Sequence, residues 1–160
     1  MIMSFIRDVM EAHSYFSLWS LYMMMYLTVT NEKDPREHSK CLFYLVISCC
    51  GGTHITFIYP RRLFVRYLRY EFKGWSLILL DVLGHYAPLF YYLRNSFVPS
   101  PTITLSDLLS FDHMWLILFY ITFFPMYRLY RLRLGDILII SIVATVYTLF
   151  IQSAFHLMLH

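Results

Sequence analysis

The segment from Trp75 to Tyr92 has the sequence WSLILLDVLGHYAPLFYY, which contains the feature that best indicates the fold class. It approaches the roughly 20 residues that a helix needs to cross a bilayer. Its apolar pattern is interrupted by Asp81, His85 and Pro88. Ionisable groups are costly in hydrocarbon and therefore usually face other helices or take part in function. The segment predicts a transmembrane helix that shields an acid and an imidazole from lipid.

The composition of the whole chain supports a membrane protein. Of its 160 residues, 59% are hydrophobic and 14% are charged, whereas soluble domains carry about 25% charged residues. A soluble domain of this size has too little interior to bury so much apolar surface. The length favours one domain. We therefore predict an all-α polytopic membrane protein in which residues 1–160 form a single transmembrane domain.

Apolar segments separated by polar loops predict a bundle of about five transmembrane helices. The predicted spans are residues 15–30, 41–59, 74–93, 111–127 and 135–157. Residues 31–40 are predicted to form a loop. Residues 1–12 place apolar side chains on one helical face, which is an amphipathic pattern. This N-terminal segment is predicted either to lie in the membrane interface or to extend the first span.

The distribution of lysine and arginine predicts the orientation of the spans. Loops on one side carry Arg7, Arg61, Arg62, Arg66, Arg69, Lys73, Arg128, Arg131 and Arg133. Loops on the other side carry Lys33, Arg36, Lys40 and Arg94. Because cytoplasmic loops are enriched in basic residues, the first set is predicted to be cytoplasmic. The N-terminus is then cytoplasmic, and the C-terminus lies outside or in a lumen.

The basic residues also predict the partners of the chain. Tyrosines are interleaved with two basic clusters, as is typical of positions at the headgroup level of a membrane. We predict that lipid headgroups contact Arg61, Arg62, Arg66, Arg69, Arg128, Arg131 and Arg133. Protein partners or further copies of the chain are also predicted, and nucleic acid is not. The three cysteines form no zinc-binding or disulfide pattern, and no cofactor or metal site is predicted.

Two histidines and one acid are predicted to lie close together within the spans. Asp81 and His85 are four residues apart and so share one helical face. Counted at about 1.5 Å per residue from the basic side, His54 and Asp81 lie at similar depths. The Gly51-Gly52 pair allows a neighbouring helix to approach closely. The spans containing His54 and Asp81 are therefore predicted to pack together at this point.

This cluster admits two interpretations. A carboxylate can orient an imidazole for acid–base catalysis, and two histidines with a carboxylate can hold a metal. Alternatively, His54, Asp81 and His85 form interhelical hydrogen bonds that fix helix packing. The sequence leaves both interpretations open.

Part of the chain resembles the androgen-induced family of multi-span membrane lipid hydrolases. The resemblance lies in a Tyr-Pro basic turn, a Gly-Trp pair and an intramembrane histidine followed by a proline: Tyr59-Pro60-Arg61-Arg62, Gly74-Trp75, Asp81 and His85-Tyr86-Ala87-Pro88. It implies that His85 is catalytic in the cleavage of fatty-acid esters. The family's nucleophile is a threonine one turn after an early tryptophan, but here Met23 follows Trp19 at that distance. Thr28, Thr30 and Thr53 lie elsewhere.

The leading prediction of function is non-enzymatic: a structural or assembly component that contacts lipid or partner subunits. The composition is similar to that of small multi-span proteins of large DNA viruses and organelle complexes. A first alternative is an intramembrane lipid hydrolase or acyltransferase, which requires a nucleophile within hydrogen-bond reach of His85. A second is a proton- or ion-conducting oligomer built around Asp81 and His85.

Overall fold

All the regular secondary structure in the described part of the protein is helical. A computed structural model describes residues 16–58, 75–99, 106 and 133–159. Within these ranges lie α1 (Phe16–Thr30), α2 (Pro35–Ile58), α3 (Trp75–Asn95) and α4 (Leu134–Leu159). The all-helical prediction is confirmed for these residues. The predicted span at residues 111–127 and the amphipathic segment at residues 1–12 lie outside them.

The end of α1 is fixed by a left-handed residue. Asn31 has a φ of 52°, a conformation that asparagine tolerates better than most side chains. The N–H of Asn31 donates to the carbonyl of Thr28, and the N–H of Glu32 donates to that of Leu27. These two bonds form a Schellman motif, which satisfies carbonyls at the helix end. The chain turns here and enters α2 after three further residues.

Helix α2 begins at Pro35, earlier than the predicted start at Cys41. The side chain of Asp34 accepts a hydrogen bond of 2.9 Å from the N–H of Arg36, as an N-cap residue does. Proline suits the first helical position because its missing N–H would be unpaired there anyway. Residues 35–40 were predicted as loop because they are polar. Capping makes them the first turns of the helix instead.

Helix α2 is the centre of the described bundle because it packs against α1, α3 and α4. Its residues 41–47 are all buried, together with Leu27 of α1, Tyr92 of α3 and Ala144 of α4. His38 contacts Tyr92 and Ser48 contacts His85, so α2 and α3 run antiparallel. The ends of the helices at residues 58 and 75 therefore lie at one end of the bundle.

Helix α4 also runs antiparallel to α2. Asp136 contacts His54 near the C-terminal end of α2. At the other end, Phe155 of α4 contacts Phe97, which packs against Tyr92. Residue 134 therefore lies at the same end of the bundle as residues 58 and 75.

In the described residues, one segment is long and apolar enough to cross a membrane, Gly135–Met158. Helix α1 has 15 residues, fewer than the roughly 20 needed. Helix α2 carries charged residues in its first turns, and α3 includes an aspartate, a histidine and an arginine. The five-span arrangement is therefore a proposal.

Candidate functional site

Ser48 and His85 form a hydroxyl–imidazole pair between α2 and α3. The Oγ of Ser48 lies 3.1 Å from the Nδ1 of His85. Ser48 is buried and His85 is half-buried. When the serine hydroxyl donates to Nδ1, the imidazole carries its proton on Nε2. A hydroxyl within hydrogen-bond reach of an imidazole is the minimal arrangement of a nucleophile with its general base.

The position of the His85 ring depends on Gly52. A Cβ built on Gly52 would overlap the ring, with the Nε2 atom at 2.8 Å. Only glycine therefore leaves room for the ring at this crossing of α2 and α3. This contact agrees with the predicted packing of helices at Gly51-Gly52. Of the two glycines, Gly52 is the one that lies against the ring. No described atom lies within 4 Å of a Cβ built on Gly51.

Two further hydrogen bonds join α2 to α3 around this pair. The thiol of Cys49 donates to the backbone carbonyl of His85 across 3.2 Å. The hydroxyls of Thr53 and Tyr86 are 2.7 Å apart. Because these bonds join His85 and the next residue of α3 to α2, they hold α3 against α2 at this level. Thr53 pairs with Tyr86, and Ser48 is the hydroxyl that the structure brings to His85.

His54 pairs with a carboxylate of α4, and this pairing was not predicted from the sequence. Its Nε2 lies 3.0 Å from the Oδ1 of Asp136 in α4. The Oδ2 of Asp136 accepts a 2.8 Å hydrogen bond from the N–H of Arg133, which is one half of a capping box. Both carboxylate oxygens are therefore engaged. The side chain of Asp81 lies outside the described atoms, so the predicted proximity of His54 and Asp81 stays a prediction.

Helix geometry explains why His54 contacts α4. Successive residues of an α-helix are rotated by about 100°. Gly52 faces α3, because the His85 ring lies against it. His54 is two residues further along and therefore points to the opposite side of α2. Position along the helix axis could be estimated from sequence, but the direction of each side chain around the helix could not.

A second buried cluster lies at the other end of α2, around His38. The Nδ1 of His38 is 2.6 Å from the hydroxyl of Tyr92, and its Nε2 is 2.8 Å from the carbonyl oxygen of Glu32. A carbonyl can only accept, so Nε2 carries a proton. The Tyr92 hydroxyl lies within hydrogen-bond distance of Nδ1 and also, at 3.2 Å, of the backbone carbonyl oxygen of His38, to which it donates. Both side chains are buried and their rings stack.

The loop before α2 is ordered by its own acidic residues. The Oε1 of Glu32 accepts hydrogen bonds from the N–H groups of Asp34 and Lys33 at 3.0 Å and 2.8 Å. These bonds stabilise the carboxylate and lower the pKa of Glu32, with Asp34 having the largest effect. The same residue offers its carbonyl to His38. Glu32 therefore connects the exposed loop to the buried cluster.

The predicted headgroup residues lie almost entirely outside the described residues. Arg133 is described: it is exposed and precedes α4 directly. The prediction for the others remains untested: Arg61, Arg62, Arg66, Arg69, Arg128 and Arg131.

Four of these side chains were not predicted from the sequence to be site residues: His38, Tyr92, Ser48 and Asp136. Asp136 carried a usable signal, because an acid three residues after the N-cap often caps a helix. His38 and Tyr92 carried none, since they are 54 residues apart in the chain.

The chain was compared with models of protein families, with curated proteins and with solved structures. No match was found in any of the three comparisons. The resemblance to the androgen-induced hydrolases therefore stays a prediction that rests on the residues quoted above.

Proposed function

We propose that the protein is a multi-pass membrane component that contacts lipid or partner subunits through its helices. The observation that carries this proposal is the distribution of polar and apolar side chains. The described interior contains hydroxyl, imidazole and amide groups, which belong to Ser20, His38, Ser39, Ser48, Thr145, Thr148 and Gln152. In a bundle surrounded by lipid, such groups are best placed between helices.

The outer surface has the complementary composition. Large apolar side chains are exposed on all four helices, and on α4 they include Ile139, Ile142, Val146 and Phe150. Water-soluble monomers rarely expose continuous apolar patches of more than a few hundred Å². Lipid chains or apolar partner helices would cover such a surface and keep its apolar side chains out of water.

The proposed arrangement has five spans: α1, α2, α3, residues 111–127 and α4. The helix ends at residues 58, 75 and 134 lie at one end of the bundle, as derived above. Both basic clusters are attached to these ends in the sequence. This supports a cytoplasmic side where those clusters meet anionic headgroups. The loop containing Lys33 and the residues after Arg94 then lie on the opposite side.

Labelling of introduced cysteines tests this topology. Lys33, Arg94 and Arg133 are exposed, so each can be replaced by cysteine in turn. In sealed vesicles whose cytoplasmic side faces inward, an impermeant maleimide should label Lys33→Cys and Arg94→Cys. Arg133→Cys should react only after permeabilisation. The unsubstituted protein is the control for labelling of the native cysteines. Labelling of all three introduced cysteines from one side would overturn the topology.

We propose acyl transfer as a second candidate function, favoured by the distance between Ser48 and His85. In the proposed step, the proton of the Ser48 hydroxyl moves to Nδ1 of His85 as Oγ attacks the carbonyl carbon of a lipid ester. The carbon–oxygen bond to the leaving alcohol then breaks, and that alcohol takes the proton from His85. Water repeats the sequence on the acyl-serine and releases the fatty acid, which restores the hydroxyl.

A fluorophosphonate probe, which reacts with activated serine hydroxyls, tests this candidate. We expect the full-length protein in lipid nanodiscs to be labelled at Ser48. Ser48→Ala should abolish labelling, and His85→Ala should slow it by about 10²-fold or more because the general base is lost. Thr53→Ala is the matched control, since Thr53 pairs with Tyr86, and it should keep its labelling. If Ser48 is not labelled in the unsubstituted protein, the acyl-transfer candidate is wrong and only the structural role remains.

A further inference from the structure

Helix α3 has a local weak point between Gly84 and Pro88. Pro88 lies inside the helix and has no N–H to donate to the carbonyl of Gly84, which loses its usual backbone partner. Gly84 is exposed, and no described atom lies within 4 Å of a Cβ built on it. Glycine within a helix also lowers its stability by roughly 0.5–1 kcal/mol relative to alanine. The helix therefore bends most easily at this point.

The C-terminal half of α3 is anchored to α2. After Pro88, Leu89 and Tyr92 are buried, and Tyr92 is further held by His38. Before Gly84, none of the side chains that the structure describes is buried. Leu79 and Leu83 are 60% and 53% exposed. The C-terminal half is therefore fixed to α2 by buried side chains.

The Ser48–His85 pair lies at the junction of these halves. His85 follows Gly84 directly, and Ser48 is buried beneath α3. We propose that Gly84–Pro88 is a hinge, about which residues 75–83 move away from α2. This movement opens a path from the lipid toward the Ser48 hydroxyl. The hinge serves the acyl-transfer candidate but is argued from packing, so it can be tested without any activity.

Distance measurements between spin labels test the hinge in full-length protein in nanodiscs. Labels carried by p-acetylphenylalanine leave the native cysteines in place. One pair, at Phe57 and Leu79, reports on the N-terminal half of α3. A reference pair, at Val29 and Tyr91, reports on the anchored half, and all four positions are exposed. We expect a broader distance distribution for the first pair than for the reference pair.

Substitutions at the hinge should remove that difference. Pro88→Ala restores the missing backbone donor, and Gly84→Ala meets no described atom, so both should stiffen α3. We expect each to narrow the Phe57–Leu79 distribution toward the width of the reference pair. Gly51→Ala, the same substitution in α2, should leave it unchanged. Equal widths in the unsubstituted protein, or no narrowing in either hinge variant, would overturn the proposal whether or not Ser48 reacts with fluorophosphonate.

Discussion

Replacing Tyr92 with alanine should lower the free energy of unfolding by about 3–5 kcal/mol, as is typical when a large buried aromatic side chain is removed. The side chain is fully buried, stacks on His38 and contacts Phe97. Its loss would leave a cavity between α2 and α3 and remove the partner of a buried imidazole nitrogen. Circular dichroism during unfolding in mixed detergent micelles measures the change.

Two further substitutions separate packing from hydrogen bonding at this position. Tyr92→Phe keeps the ring but removes the hydroxyl that lies 2.6 Å from His38 Nδ1, and should cost about 1–3 kcal/mol. Tyr91→Ala is the control, because its side chain is exposed, and should change stability by no more than about 0.5 kcal/mol. If Tyr91→Ala and Tyr92→Ala lowered the free energy of unfolding equally, the buried cluster around His38 would not anchor α3 to α2.

Replacing Gly52 with alanine should destabilise the crossing of α2 and α3 by about 1–3 kcal/mol, the usual cost of overpacking. The added methyl group would overlap the His85 ring. The ring can avoid it only by turning away, which breaks its contact with Ser48. Unfolding in mixed micelles measures the stability, and a fall in fluorophosphonate labelling would report the displaced ring if Ser48 reacts.

The neighbouring glycine and a double substitution provide the controls. Gly51→Ala meets no described atom, so it should stabilise α2 slightly through the higher helix propensity of alanine. When His85→Ala removes the clashing ring, adding Gly52→Ala should cost almost nothing. Such non-additivity is the signature of two residues in direct contact. Equal costs of Gly52→Ala with and without His85 would contradict the predicted clash.

Much of the helical organisation could be predicted from apolar segments and their boundaries. Helices α1, α3 and α4 begin and end within two residues of the predicted spans 15–30, 74–93 and 135–157. Helix α2 begins earlier than predicted because an N-cap and a proline at the first helical position start it inside a polar segment. Polar residues indicate where an apolar segment ends, whereas capping residues indicate where a helix begins.

The candidate site could be predicted only in part. His85 stood out because an imidazole in an apolar helix needs a partner, and the contact of α2 with α3 followed from the glycine pair. Its partner Ser48 did not stand out, since serine is common in helices of membrane proteins. The pairing of His54 with Asp136 depends on the direction in which the His54 side chain projects from α2. It also depends on the position of α4, whose Asp136 follows 82 residues later in the chain. Neither quantity is available from local sequence.

The central position of α2 has a consequence for synthesis of the chain in the proposed membrane arrangement. Ribosomes add roughly 5–20 residues per second, so Asp136, 82 residues after His54, emerges about 4–16 s later. The His38 cluster can close much sooner, when Tyr92 arrives. Until α4 has been made, the side of α2 that packs against it lacks that helix. A nascent chain arrested before α4 should therefore be the form of this protein most dependent on chaperones.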